Sequence, residues 1–116
     1  MRRGMLVLFA AALVLAVTMA LLPDPPALAL EGLGDKYRHM AAFAVLSLLA
    51  ARAFPRASLW RIGERLSFLG AMIEVAQSFP ALHRDCDIFD WVADTVAIAA
   101  ALLLVAAIRA RRRAAT

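Results

Sequence analysis

Cysteine occurs once in these 116 residues, at Cys86, which excludes an intrachain disulfide and any metal cluster built on cysteine. No H-E-x-x-H run is present, and no serine or cysteine sits in an obvious nucleophile motif. No internal repeat or low-complexity tract stands out. The arginines are not interleaved with aromatics as a nucleic-acid groove requires, so no nucleic-acid partner is expected. No resident metal and no cofactor are expected either. Polar character is itself scarce. The chain is 64% hydrophobic with a mean hydropathy of +0.76, whereas soluble domains run nearer to half apolar. That balance argues against a soluble globular domain.

What the chain does have is four apolar stretches, over about residues 5–22, 37–54, 59–79 and 91–108. A bilayer core about 30 Å thick needs a helix of about 20 mostly apolar residues. The sequence therefore predicts an all-α fold: a single domain over residues 1–116, built as a multi-pass membrane bundle of four transmembrane helices. Four spans leave little length for loops and none for a soluble domain. Pro23, Pro25 and Pro26 follow the first stretch, Pro55 the second and Pro80 the third, where each would end a helix. Ala27-Leu28-Ala29 resembles a signal-peptide cleavage site. The first apolar run is longer than the usual ~7–15 residue core of such peptides, so a retained helix is expected. The spans are short enough to thin the bilayer locally or to rely on snorkelling flanks. Tyr37, Trp60 and Trp91 fall at the expected lipid–water boundaries.

The arginines set the direction. Arg2 and Arg3 precede the first stretch, Arg52, Arg56, Arg61 and Arg65 surround the connection after the second, and Arg109, Arg111, Arg112 and Arg113 follow the fourth. Four passes put all of these on one side and only Lys36, Arg38 and Arg84 on the other. The positive-inside rule then places both termini in the cytoplasm. The acids show the opposite bias, with only Glu64 near the cytoplasmic face. Arg109–Arg113 reads as a stop-transfer anchor with affinity for anionic lipid. Helix contacts are expected at small residues: Ala41, Ala42, Ser47, Ala50, Gly63, Gly70, Ala71, Ala93, Ala97, Ala100 and Ala101.

Most polar residues with chemical potential would gather at the outer face. Asp35 and His39 are one helical turn apart, with Lys36 and His39 three apart. Asp35 suits a helix cap. His39 lies a turn into an apolar helix and carries an imidazole able to take and give a proton. Glu74 and Gln77 share a face. Counted back from Pro80, Glu74 lies about 8–9 Å inside the helix end, where a lone carboxylate costs about 2–3 kcal/mol. It is therefore expected to face the bundle interior. Asp87, Asp90 and Asp94 form one stripe. Capping explains the first two but not Asp94. Arg84 can neutralise this stripe or receive a phosphate or carboxylate.

The order Asp35-Lys36-x-x-His39, Glu74-x-x-Gln77, then Arg84 followed by Asp90-x-x-x-Asp94 resembles the VanZ-like family of small bacterial membrane proteins, over about Asp35 to Leu104. Asp94 stands where that family usually has Asn, and Ala97 and Ala101 where it often has Gly. The resemblance implies a multi-pass protein of the bacterial inner membrane. The family's founding member is associated with low-level teicoplanin resistance, so an influence on glycopeptide susceptibility is an expectation for this chain.

Three functions follow as expectations. The first is a membrane protein that binds a cell-envelope precursor or lipid headgroup at its outer face, through Lys36, His39, Glu74, Gln77, Arg84, Asp90 and Asp94. The cations would hold an anionic group and the carboxylates a sugar or amine. The second is an intramembrane enzyme acting on a lipid-linked phosphate or glycan. There His39 or Glu74 would be general acid or base with Asp90 as orienter, or a divalent cation would sit among Asp87, Asp90, Asp94 and Glu74. The third is an ion-coupled transporter, which four short helices could form only as a homo-oligomer.

Overall fold

The structure is a computed structural model and describes residues 2–22, 34–79 and 88–115. Among the described residues the chain is all-α, with four helices and no strand: α1 (Arg2–Leu21), α2 (Gly34–Ala53), α3 (Leu59–Gln77) and α4 (Ile88–Ala115). Pro23–Pro26, Pro80, Arg84, Cys86 and Asp87 lie outside the described residues.

The helix ends follow local chemistry. The Ser58 hydroxyl accepts the Arg61 amide at 3.1 Å and caps α3. At its other end, Ser78 and Phe79 donate to Val75 and Ala76 at 3.2 Å, a tightened last turn that stops α3 two residues before the predicted limit. Helix α2 begins three residues before the predicted limit, so Asp35 and Lys36 belong to its first turn and Asp35 is not its N-cap. Apolar pattern marks where a helix meets a greasy environment, not where backbone hydrogen bonding starts. Helix α4 runs on through Arg109–Arg113, because arginine is a good helix former and cations suit a helix C-terminus.

Side-chain contacts fix the directions. The Phe9 and Phe54 rings meet edge to face at 5.6 Å, which sets α1 antiparallel to α2. A Cβ on Gly63 would lie 3.2 Å from Leu102, and one on Gly70 would lie 3.4 Å from Trp91, so α3 and α4 are antiparallel. Gln77 reaches Ala20, joining the C-terminal ends of α1 and α3, and Arg109 reaches Ala51, joining those of α2 and α4. The result is an up-down-up-down bundle in which α2 and α3 each touch both α1 and α4.

Its core is narrow. Phe43, Leu46, Ala50, Ile62, Leu66, Ile73, Ile98 and Leu102 form it. Among the small residues, Ser47, Ala50, Gly70, Ala97 and Ala101 are buried as expected, while Ala41 and Ala100 face outward. The surface is strongly apolar. Val7 is 68% exposed and Leu103 70%, whereas Asp94 is 2% exposed and Glu74 7%. Two helices, α1 over Arg3–Leu21 and α4, are long and apolar enough to cross a membrane. Helices α2 and α3 have comparable length but carry charges near their ends, Lys36, Arg38 and Arg52 on one, Arg61, Glu64, Arg65 and Glu74 on the other.

Candidate functional site

One layer of the bundle anchors the polar end. A Cβ on Gly70 would lie 3.5 Å from Phe43 Cζ and 3.8 Å from Asp94 Oδ2. Phe43 of α2, Gly70 of α3 and Asp94 of α4 therefore meet at one level. One turn further toward the same end, the step of four residues leads to His39 on α2, Glu74 on α3 and Asp90 on α4. Helix periodicity thus puts these three candidates at a similar height, about 6 Å beyond the first layer, although they are not grouped closely enough to share an ion.

Glu74, Asp90 and Asp94 are all buried, and His39 is half-buried. None of the four stands alone, since each is engaged by a neighbouring group. Glu74 is less than one turn from the end of α3, closer than the predicted helix limit implied, and is buried nonetheless. His39 also borders a space of about 20 Å³ shared with Ala20, Phe43 and Ile73. With His39 as its one polar wall residue, that space lacks the two to four partners an ordered water needs.

Gln77 closes the end of the bundle. Its Nε2 donates to the Ala20 carbonyl at 2.8 Å, one of the terminal carbonyls of α1 that has no partner within the helix. Its Oε1 is buried and accepts no hydrogen bond among the described residues. Gln77 therefore has a structural task in addition to any part in a site. Lys36 lies on α2 one turn before His39, while Arg84 is outside the described residues. Among the described residues, no three His, Cys, Asp or Glu side chains are grouped as metal ligands.

The sequence reading missed a second polar group. Trp91 Nε1 donates to the Ser67 carbonyl at 2.9 Å, and Thr95 Oγ1 donates to the Trp91 carbonyl at 2.9 Å. Thr95 has then used its one hydroxyl hydrogen, so across their 2.9 Å contact Ser67 is the donor. The three residues close a hydrogen-bonded ring between α3 and α4. Trp91, expected near a lipid–water boundary, is half-buried and takes part in this helix contact. Tyr37 and Trp60 do face outward, at 60% and 78% exposure. The only hint in the sequence was that Ser67 and Thr95 interrupt apolar runs.

Compared with protein-family models, curated proteins and solved structures, the chain matches none of them.

Proposed function

We propose that this chain is a four-pass protein of the bacterial inner membrane, of VanZ-like type, with both termini in the cytoplasm and a headgroup-binding site at its outer end. The observation that carries this reading is the inverted distribution of polarity. Glu74, Asp90 and Asp94 are buried while Val7, Leu8, Leu103 and Leu104 are exposed. Water would penalise that arrangement twice, once for each apolar side chain left outside and once for each carboxylate enclosed. Lipid favours it, because intramembrane acids turn inward and apolar side chains meet acyl chains. The charges at the ends of α2 and α3 then lie at the headgroup layers, where long side chains snorkel.

The described part of the site is rich in acceptors: three carboxylates and the Gln77 carbonyl oxygen. Such a lining suits a ligand that brings hydrogen-bond donors, an amine or a hydroxyl-bearing sugar, with Lys36 and Arg84 available for its phosphate. Phosphatidylethanolamine has both parts in one headgroup. The test is native mass spectrometry of the detergent-purified protein offered equal amounts of phosphatidylethanolamine and phosphatidylcholine, whose quaternary amine has no N–H. Preferential retention of the ethanolamine lipid, lost in Glu74→Gln and Asp94→Asn, supports the reading. Equal retention of both lipids by the unaltered protein would refute it.

A second reading rests on the shared layer of His39, Glu74 and Asp90, which sets an imidazole among carboxylates as acid–base chemistry on a lipid-linked phosphate requires. Product formation from such a lipid that is abolished by His39→Ala, with binding intact, would favour it over binding alone.

A further inference from the structure

At the opposite end of the bundle, an open groove of about 570 Å³ runs along the α3–α4 contact, and the polar site does not use it. Its walls are Leu59, Trp60 and Gly63 on one side and Ala99, Leu103 and Ala106 on the other. The inner end stops at Ser67 and Thr95, whose hydroxyls are already committed to the ring with Trp91, so this floor offers no unfilled donor. From Ser67 to Leu59 the trough is about 12 Å long. It is apolar, shallow and open along one side, which suits a flexible chain better than a compact ligand.

The mouth of the groove is basic. On α4 the wall residues Thr95, Ala99, Leu102 and Ala106 continue at spacings of three and four to Arg109, whose guanidinium is bonded to the Ala51 carbonyl, and beyond it to Arg113, the α4 cation at the mouth. Helix α4 has 28 residues against 19 in α3, and its overhang carries Arg113 past the start of α3. There Arg56 stands in the turn before the Ser58 cap, beside the helix terminus that favours anions. Trp60 is 78% exposed at the same level, the position of a boundary aromatic. Against these cations the groove wall has one acid, Glu64, a turn further in.

From the apolar trough, the basic mouth and the exposed tryptophan together, we propose that the α3–α4 groove holds an anionic phospholipid. One acyl chain lies along Gly63, Ala99 and Leu103, and the phosphate lies between Arg56 and Arg113. Phosphatidylglycerol is the representative lipid, because its headgroup adds no amine to offset the charge of its phosphate. This inference rests on the membrane reading but not on any ligand at the Asp94 end.

Native mass spectrometry of the purified protein with equal amounts of phosphatidylglycerol and phosphatidylcholine tests it. The expected result is a preference for phosphatidylglycerol that falls about fivefold for each of Arg56→Gln and Arg113→Gln. Ala99→Phe fills the trough and should reduce retention of both lipids. Helical circular dichroism identifies any variant that fails to fold, and Ala106→Phe is the second trough-filling variant should Ala99→Phe do so. Equal retention of the two lipids by the unaltered protein overturns the proposal. A dimer that dissociates when the trough is filled also overturns it, by showing that a second copy is the occupant. Both results are independent of Glu74→Gln and Asp94→Asn, so failure here and failure of the outer-site reading remain distinguishable.

Discussion

Arg109 donates a hydrogen bond to the main-chain carbonyl of Ala51 at 3.0 Å, and so takes the place of the amide hydrogen that Pro55 lacks. In an unbroken helix that carbonyl would accept from the residue four positions on. One residue earlier the pattern is normal, with Phe54 donating to Ala50 at 2.8 Å. The proline that ends α2 thus leaves an acceptor on a buried residue, and the guanidinium of a parallel helix fills it, with its positive charge at the favourable end of the α2 dipole.

Arg109→Gln should therefore destabilise the bundle by about 1.5–3 kcal/mol, the range for a hydrogen bond made by a charged group. Thermal unfolding in detergent measures this. The distinctive expectation is coupling to Pro55. Pro55→Ala restores an N–H and relaxes the backbone before it, so Arg109→Gln should cost less in that background. Equal costs in both backgrounds would show that Arg109 acts through its charge alone.

Gln77 plays the matching part at the other end of the bundle, tying α3 to Ala20 of α1. Gln77→Leu removes the donor and leaves the Ala20 carbonyl without it, at a cost of about 1 kcal/mol, typical of polar contacts between membrane helices. Gln77→Glu should be worse, because it sets a carboxylate against a carbonyl. The loss should be local. Proteolysis after the first helix is expected to speed up while protection of α2–α4 holds; uniform loss of protection would count against a specific α1 tether.

The same three helices show what could be read from sequence and what could not. The burial of Glu74, Asp90 and Asp94 was legible, because acids in apolar helices turn toward the bundle interior. The start of α3 at Leu59 was legible from the apolar pattern. The end of α4 was not, since hydropathy registers an apolar run while the backbone continues through arginines that favour helix. The contact made by Trp91 was not legible for a related reason. Position near a span end suggests a boundary aromatic, but the indole N–H is satisfied by Ser67, 24 residues away in sequence. Long-range pairings of that kind, like that of Arg109 with Ala51, have no local signal beyond an unexplained polar residue or a proline four positions past a carbonyl.

The ring of Ser67, Trp91 and Thr95 should behave as a unit. Ser67→Ala removes the donor to Thr95, and Thr95→Val removes both an acceptor and a donor, each at about 1 kcal/mol. Because they share one contact, the double variant should cost less than the sum of the single ones. Unfolding titrations of the four species in detergent give the coupling. Strict additivity would mean that the 2.9 Å contact between the hydroxyls contributes nothing.

Gly70 is the position where packing and the polar site meet. A Cβ there would sit 3.4 Å from Trp91, 3.5 Å from Phe43 and 3.8 Å from Asp94, all ordinary contacts. Gly70→Ala should therefore be accommodated, and the helix propensity of alanine should add up to about 1 kcal/mol of stability. Gly70→Leu cannot be accommodated in the same way. Its extra carbons enter the space between Phe43 and Asp94, force α4 outward and should cost about 1–3 kcal/mol as overpacking. If Asp94 belongs to the headgroup site, Gly70→Leu should also weaken phosphatidylethanolamine retention while Gly70→Ala preserves it. Native mass spectrometry read beside the unfolding curves separates the two effects. Retention unchanged in a folded Gly70→Leu protein would place the ligand away from the Asp94 layer.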